Sequence, residues 1–199
     1  MNELAKQRMK ASFKYTWPLY IITAVVIAIL LNFIFGITHR LPTYQTLTLF
    51  VSGEVTDSKK LNNDMLAKYQ DKELKSFSTI AVETTDRTYY TKLSVRGYNS
   101  ADLLIIPLST LDDLTVSAFG LEFDESLNNY YQGYSFYQQE GINYGVKLNK
   151  EKIKDYIALP NEDCYLIING KSDNIGQYSL NKPDANHDNA LTLAKEWGM

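Results

Sequence analysis

DLLIIP, Asp102 to Pro107, is an unbroken apolar run held between polar Asn99 and Ser100 on one side and a proline on the other. A strand wet on one face alternates apolar and polar residues. A run without alternation suits a central strand covered on both faces. Working outward from it, QTLTLFV (Gln45 to Val51) reads as a β-branched, aromatic strand stopped by Ser52 and Gly53. Asp57 or Ser58 can cap a helix that places Leu61, Met65, Leu66 and Tyr69 on one face. FSTIAVETT (Phe77 to Thr85) reads as a second strand. Asp86 to Gly97 fits a helix with Tyr89 and Leu93 inward, though its β-branched residues leave a strand open. Ser109 or Thr110, followed three residues later by Asp112 or Asp113, resembles a capping signal for a short helix.

Strand, helix, strand, helix, strand is the order of an α/β domain. Beyond it, GVKLN (Gly145 to Asn149) and CYLIIN (Cys164 to Asn169) read as further strands, and LNKEKIKDYI (Leu148 to Ile157) as a short helix before the turn at Pro160 and Asn161. NALTLAKEW (Asn189 to Trp197) reads as a terminal helix capped by Asp188 or Asn186, its apolar Leu191, Leu193, Ala194 and Trp197 docking on the domain. The expected fold class is α/β: one three-layer domain over residues 45–199 with a mostly parallel or mixed sheet.

Ahead of that domain, Trp17 to Ile37 is an uncharged run of 21 residues, long enough as a helix to cross a bilayer core of roughly 30 Å. Lys6, Arg8, Lys10 and Lys14 precede it, opposed only by Glu3, and a short cationic flank stays cytoplasmic. The expectation is a cytoplasmic basic tail (1–16), a transmembrane signal anchor (17–38), a stalk (39–44) and an extracytoplasmic domain in the cell membrane of a bacterium. A cleaved signal peptide is the rival. It fits less well, because signal cores are about 7–15 residues and end at a small-x-small site. Tyr15, Trp17 and Tyr20 suit an interfacial aromatic belt, and Pro18 suits a first helical turn. Ala24, Ala28, Asn32 and Gly36 recur every four residues and line one helix face that can pair with a second copy or another membrane protein.

Residues 41–199 carry 15 Lys plus Arg against 22 Asp plus Glu, a net charge of −7, which argues against nucleic acid as a partner and against lying flat on an anionic membrane. Cys164 is the single cysteine, so no internal disulfide is available and packing must hold the domain. In its apolar strand it reads as a small buried hydrophobe. With His39 beside the membrane, only His187 remains as a partner for it. No nucleophile elbow, zinc-protease helix, P-loop or dinucleotide fingerprint is present. DANHDN (Asp184 to Asn189) opens like a calcium loop, but Asn189 stands where the turn glycine belongs and Lys195 where the closing Glu belongs. The expectation is no enzyme, no metal and no cofactor.

The order LTLFVSG, TYYTKLSVRGYNSADLLIIPLSTLDDL, GVKL, DCYLIINGKS and ALTLAKEW resembles one lobe of a type II periplasmic-binding-protein domain, the solute receptor of ABC transporters. Tyr89, Lys92, Leu93, Gly97, Ala101, Asp102 and Pro107 carry the likeness. It is strongest over 45–115. The family has two lobes that close on a ligand, and 159 residues hold only one. The resemblance implies a single-lobed relative whose ligand edge is the loops after the strands, at Ser52, Gly53, Ser109 and Thr110, each of which also reads as a turn or cap residue.

Phe119 to Tyr144 interleaves aromatic residues with Asn, Gln and Glu. Tyr130, Tyr131, Tyr134 and Tyr137 are the candidates there for protein recognition or sugar stacking, against the alternative that the rings pack inward as core. These readings together point to a membrane-anchored binding or interaction module, an accessory of a transporter or other envelope complex. The alternatives are a small-molecule or sugar receptor working alone, and an envelope hydrolase of unfamiliar type.

Overall fold

The computed structural model describes residues 3–38, 41–181 and 183–198; His39 and Arg40 of the expected stalk lie outside them. Two compact units emerge, Met1–Leu41 and Pro42–Met199. The first is one helix, α1 (Glu3–Thr38). It begins well before the proline, so Pro18 sits inside the helix instead of in its first turn, where its missing N–H removes one backbone bond. The stretch Thr16–Gly36 is long and apolar enough to cross a membrane and is unburied throughout. Ala24, Ala28, Asn32 and Gly36 are all exposed on it, and the Thr23 hydroxyl turns back to the Leu19 carbonyl at 2.8 Å, satisfying itself within the helix.

The second unit is built from β1 (Thr46–Val51), β2 (Glu54–Val55), α2 (Ser58–Lys68) and β3 (Ser76–Ala81), then the helical segments α3 (Tyr89–Lys92) and α4 (Tyr98–Ser100) joined by a π-helical turn. β4 (Leu103–Pro107), α5 (Leu108–Leu111), α6 (Glu125–Tyr130), β5 (Phe136–Gln139) and β6 (Ile142–Lys147) follow, then β7 (Ile157–Ala158), β8 (Cys164–Ile168) and α7 (Asn189–Trp197). The main sheet runs β3-β1-β4-β8-β6-β5, and β2 and β7 form a two-stranded ribbon beside it. β1 is parallel to both β3 and β4. From β4 onward every pairing is antiparallel. The sheet is therefore mixed, parallel in its N-terminal half only.

DLLIIP behaves as its pattern requires. All five residues of β4 are buried, with Leu103 and Ile105 in one apolar cluster and Leu104 and Ile106 in the other. The first cluster takes in α2 (Leu61, Met65), α6 (Leu127) and α7 (Leu193, Ala194, Trp197); the second takes in Tyr89 and Leu93 of the segment leading to β4. The sheet is thus covered on both faces, and each fully buried Leu or Ile contributes about 1.5–3 kcal/mol. Asp57 caps α2 as expected, accepting from the Lys60 amide at 2.9 Å.

Three local expectations differ from the structure. Leu148 to Ile157 is not a helix: only Lys150–Lys152 form a 3₁₀ turn. The Lys150 ammonium donates to the Pro160 and Glu162 carbonyls, and that of Lys152 to the Glu196 and Gly198 carbonyls. The lysines tie the turn to the loop before β8 and to the end of α7. Neither Ser109 nor Thr110 caps α5, whose N-cap is Pro107. Asp188 makes no cap bond to α7, because its carboxylate is held by Lys72 at 2.7 Å.

Candidate functional site

The chain leaves β1 through α2 to reach β3 on one side, then crosses to β4 on the other, with α2 and α3 on opposite faces. In open α/β sheets the crevice at such a switch, outside the carboxyl ends of the strands, is where ligands bind. Ser52 and Gly53 follow β1, and Ser109 and Thr110 follow β4, so all four expected edge residues lie at this end. The structure brings Ser52 and Thr110 together on one phenol. The hydroxyls of Ser52 and Tyr89 are 2.6 Å apart and buried, and Thr110 bonds the same Tyr89, whose phenol is pushed up chiefly by burial. Ser109 turns elsewhere, donating through its amide and hydroxyl to Glu162 at 2.9 and 2.8 Å.

A cavity of about 350 Å³ opens beside them, lined by Gly53, Glu54, Glu83, Thr84, Leu159 and neighbours. Gly53 has no substitute here, because a Cβ would lie 2.5 Å from the Ala158 carbonyl oxygen. The Ser52 amide donates to Ile105 and that of Gly53 to Val82. Most of the polar capacity at this edge is therefore spent on joining strands, and exposed Glu54, Glu83, Thr84 and Thr85 supply the rest, the Thr85 hydroxyl donating to Glu83 at 3.2 Å.

The aromatic segment divides. Tyr131 and Tyr137 are core residues, their hydroxyls donating to the Leu191 and Leu111 carbonyls at 2.9 and 3.1 Å. Tyr134 is half-buried and donates to the Lys195 carbonyl at 2.8 Å. Tyr130 is half-buried, with the Lys195 ammonium 3.9 Å from its ring centroid. The inward-packing alternative therefore describes Tyr131 and Tyr137, while Tyr130 and Tyr134 keep some surface.

Cys164 and His187 do not meet. Cys164 is in register with Pro107 at the end of β4, whereas the His187 ring stacks on Tyr44, 3.9 Å between centroids, just ahead of the start of β1. A six-residue strand separates the two ends by about 20 Å. Burial pushes the Cys164 thiol up to about 11, so it is a poor nucleophile at neutral pH. In the DANHDN loop, Asp184 accepts from the Asn186 amide at 3.0 Å and Asp188 pairs with Lys72, so bonds within the protein occupy two of its three alternate positions. Comparison with protein families, with curated proteins and with solved structures returned no match.

Sequence reasoning missed the role of Asp102. Its carboxylate accepts from the Thr48 amide at 2.7 Å, from Asn174 at 3.1 Å and from the Ser172 hydroxyl. Asn174 also donates to the Thr43 and Thr46 carbonyls. One acid thus ties the chain entering β1, the start of β4 and the loop after β8. Desolvation is the largest influence on it and outweighs those donors, raising its pKa to about 6 from 3.8.

The native state therefore holds this proton more tightly than the unfolded chain. Stability from Asp102 is full below about pH 4 and is lost as pH rises through about 6. The expected loss is on the order of 2 kcal/mol. Urea melts between pH 4 and 8 check this, and Asp102→Asn should flatten the profile. An unchanged profile in that variant would assign the dependence to another group.

Proposed function

We propose that this chain is a single-pass, membrane-anchored extracytoplasmic module that binds a partner without catalysis, an accessory of a transporter or other bacterial envelope complex. The observation that carries the reading is the helix Thr16–Gly36, apolar and wholly unburied, on a chain whose other unit has its own closed core. An apolar surface of that length needs lipid or another helix around it. The basic residues before it favour a cytoplasmic N-terminus. The buried thiol of Cys164 and the separation of His187 from it favour binding over covalent chemistry. The likeness to a single solute-receptor lobe favours an accessory of a transporter, with its ligand edge at the carboxyl ends of β1 and β4.

Ala24, Ala28, Asn32 and Gly36 are the candidate docking face in the membrane, where small residues allow close helix approach and Asn32 gains a partner for its amide. The test is affinity purification of the full chain from native membranes in mild detergent, beside a variant carrying Ala24→Leu, Ala28→Leu and Asn32→Leu. Recovery of a stoichiometric envelope or transport protein with the wild type, reduced at least several-fold in the variant, is expected. Recovery of this chain alone in both would overturn the accessory reading.

A further inference from the structure

Away from the strand-end crevice, a second cavity of about 240 Å³ opens between α6, α7 and the turn Gly176–Tyr178. Tyr130 and Tyr178 supply aromatic wall, Leu127 and Leu191 apolar floor, and Gln177 and Asp188 polar edge. The turn is fixed against the loop that carries Asp188. Gly176 takes a left-handed φ of +62°, and its amide donates to the His187 carbonyl at 2.9 Å. The spacing of Tyr178 and Asp188 is thereby set before any ligand arrives, which lowers the ordering cost of binding.

Charge narrows the occupant. Asp188 is already neutralised by Lys72 at 2.7 Å, and Asp124 beside the cavity accepts from the Leu127 amide at 2.8 Å and from the Tyr178 hydroxyl at 3.3 Å. Asp188 is thus balanced by an ammonium and the Asp124 carboxylate is taken up by its helix cap and the Tyr178 hydroxyl, which disfavours a cationic ligand, and an anion would face both carboxylates. What fits is a neutral molecule with a C–H face to lie against a tyrosine ring and a rim of hydroxyls for the Asp188 carboxylate and the Gln177 amide. The cavity lies below the roughly 300–1,000 Å³ of drug-sized pockets, which limits the occupant to one ring.

We infer that this cavity is a binding site for a neutral pyranose, as a free monosaccharide or the end residue of a glycan. The inference rests on reading the chain as a binding module and gives that module a ligand class.

The test uses the full chain in phosphocholine micelles, which carry no sugar headgroup, with glucose, galactose and N-acetylglucosamine as probes in saturation-transfer NMR. At least one should give a saturable signal. Tyr178→Ala should weaken it about tenfold, with some loss of melting midpoint because the half-buried ring packs against the core. Gln177→Ala, at an exposed residue, should weaken it several-fold with the midpoint unchanged, while Tyr130→Phe, which keeps the ring, should retain it. No saturable signal from any probe overturns the inference, as does binding untouched by Tyr178→Ala. Partner recovery from native membranes is scored separately, so a silent sugar titration beside a recovered partner sinks the sugar site and leaves the module standing.

Discussion

Removing residues 1–41 is expected to move the protein completely from the membrane pellet to the soluble fraction while leaving a domain that still unfolds cooperatively. The run from Trp17 to Ile37 contains 13 residues that are Leu, Ile, Val or Phe, and insertion favours each by about 0.3–0.6 kcal/mol at mid-membrane, roughly 4–8 kcal/mol together. That preference leaves with the segment. The core stays, because its apolar residues all come from Leu47 onward, and a start at Pro42 retains the carbonyls of Thr43 and Thr46 that Asn174 holds. Carbonate extraction of membranes followed by a thermal melt of the truncated chain checks both halves. A truncated chain that still pellets with membranes would mean that the domain itself binds lipid, against the charge argument.

The second large effect is expected inside the sheet. Gly145 lies in β6 opposite Ile167 of β8, and a Cβ placed on it would come within 2.4 Å of the Leu166 carbonyl oxygen and 2.6 Å of the Ile167 side chain. The first of these is backbone, which no rotamer change relieves. Gly145→Ala should cost about 3 kcal/mol or more, the upper range for overpacking. Gly145→Val, with two further methyl groups, should exceed the stability of an ordinary domain, about 5–15 kcal/mol, and give an unfolded chain. Circular dichroism and urea titration of the pair distinguish the graded loss from the complete one. A native-like melt for Gly145→Val would require β6 and β8 to be paired in another register.

How much of this was legible in the sequence depended on whether a segment's own pattern decided its state. β4 and β8 are continuous apolar runs, β1 is β-branched and aromatic, and α2 and α7 repeat at helical spacing; each was read correctly. The stretch after β6 was not, because Lys150 and Lys152 find their carbonyl partners outside the segment, before β8 and at the end of α7. β5 was hidden for a similar reason: FYQQ, two aromatics followed by two amides, carries no alternation, its state comes from pairing with β6, and the surrounding tyrosines suggested a surface. Ser52, Gly53, Ser109 and Thr110 lie after β1 and β4 as their order in the chain implied, yet the hydroxyls of Ser52 and Ser109 are taken by Tyr89 and Glu162. The hub at Asp102 was invisible, since an acid before an apolar run reads as a solvated flank. The cavity proposed for a sugar joins Tyr130 to Tyr178 across 48 positions, and no local motif records that meeting.

The position of β8 also governs the timing of assembly. It is the last strand among the described residues, but it lies between β4 and β6 in the middle of the sheet. Until residue 168 has emerged, the parallel trio β3-β1-β4 and the hairpin β5-β6 each present an unpaired edge, and bare edges invite pairing with neighbouring chains. If α1 anchors the protein as proposed, it is inserted while the domain is still two separated halves. Crowding of nascent chains on the membrane at that moment, more than the stability of the finished fold, would then limit how much of the protein survives its own synthesis.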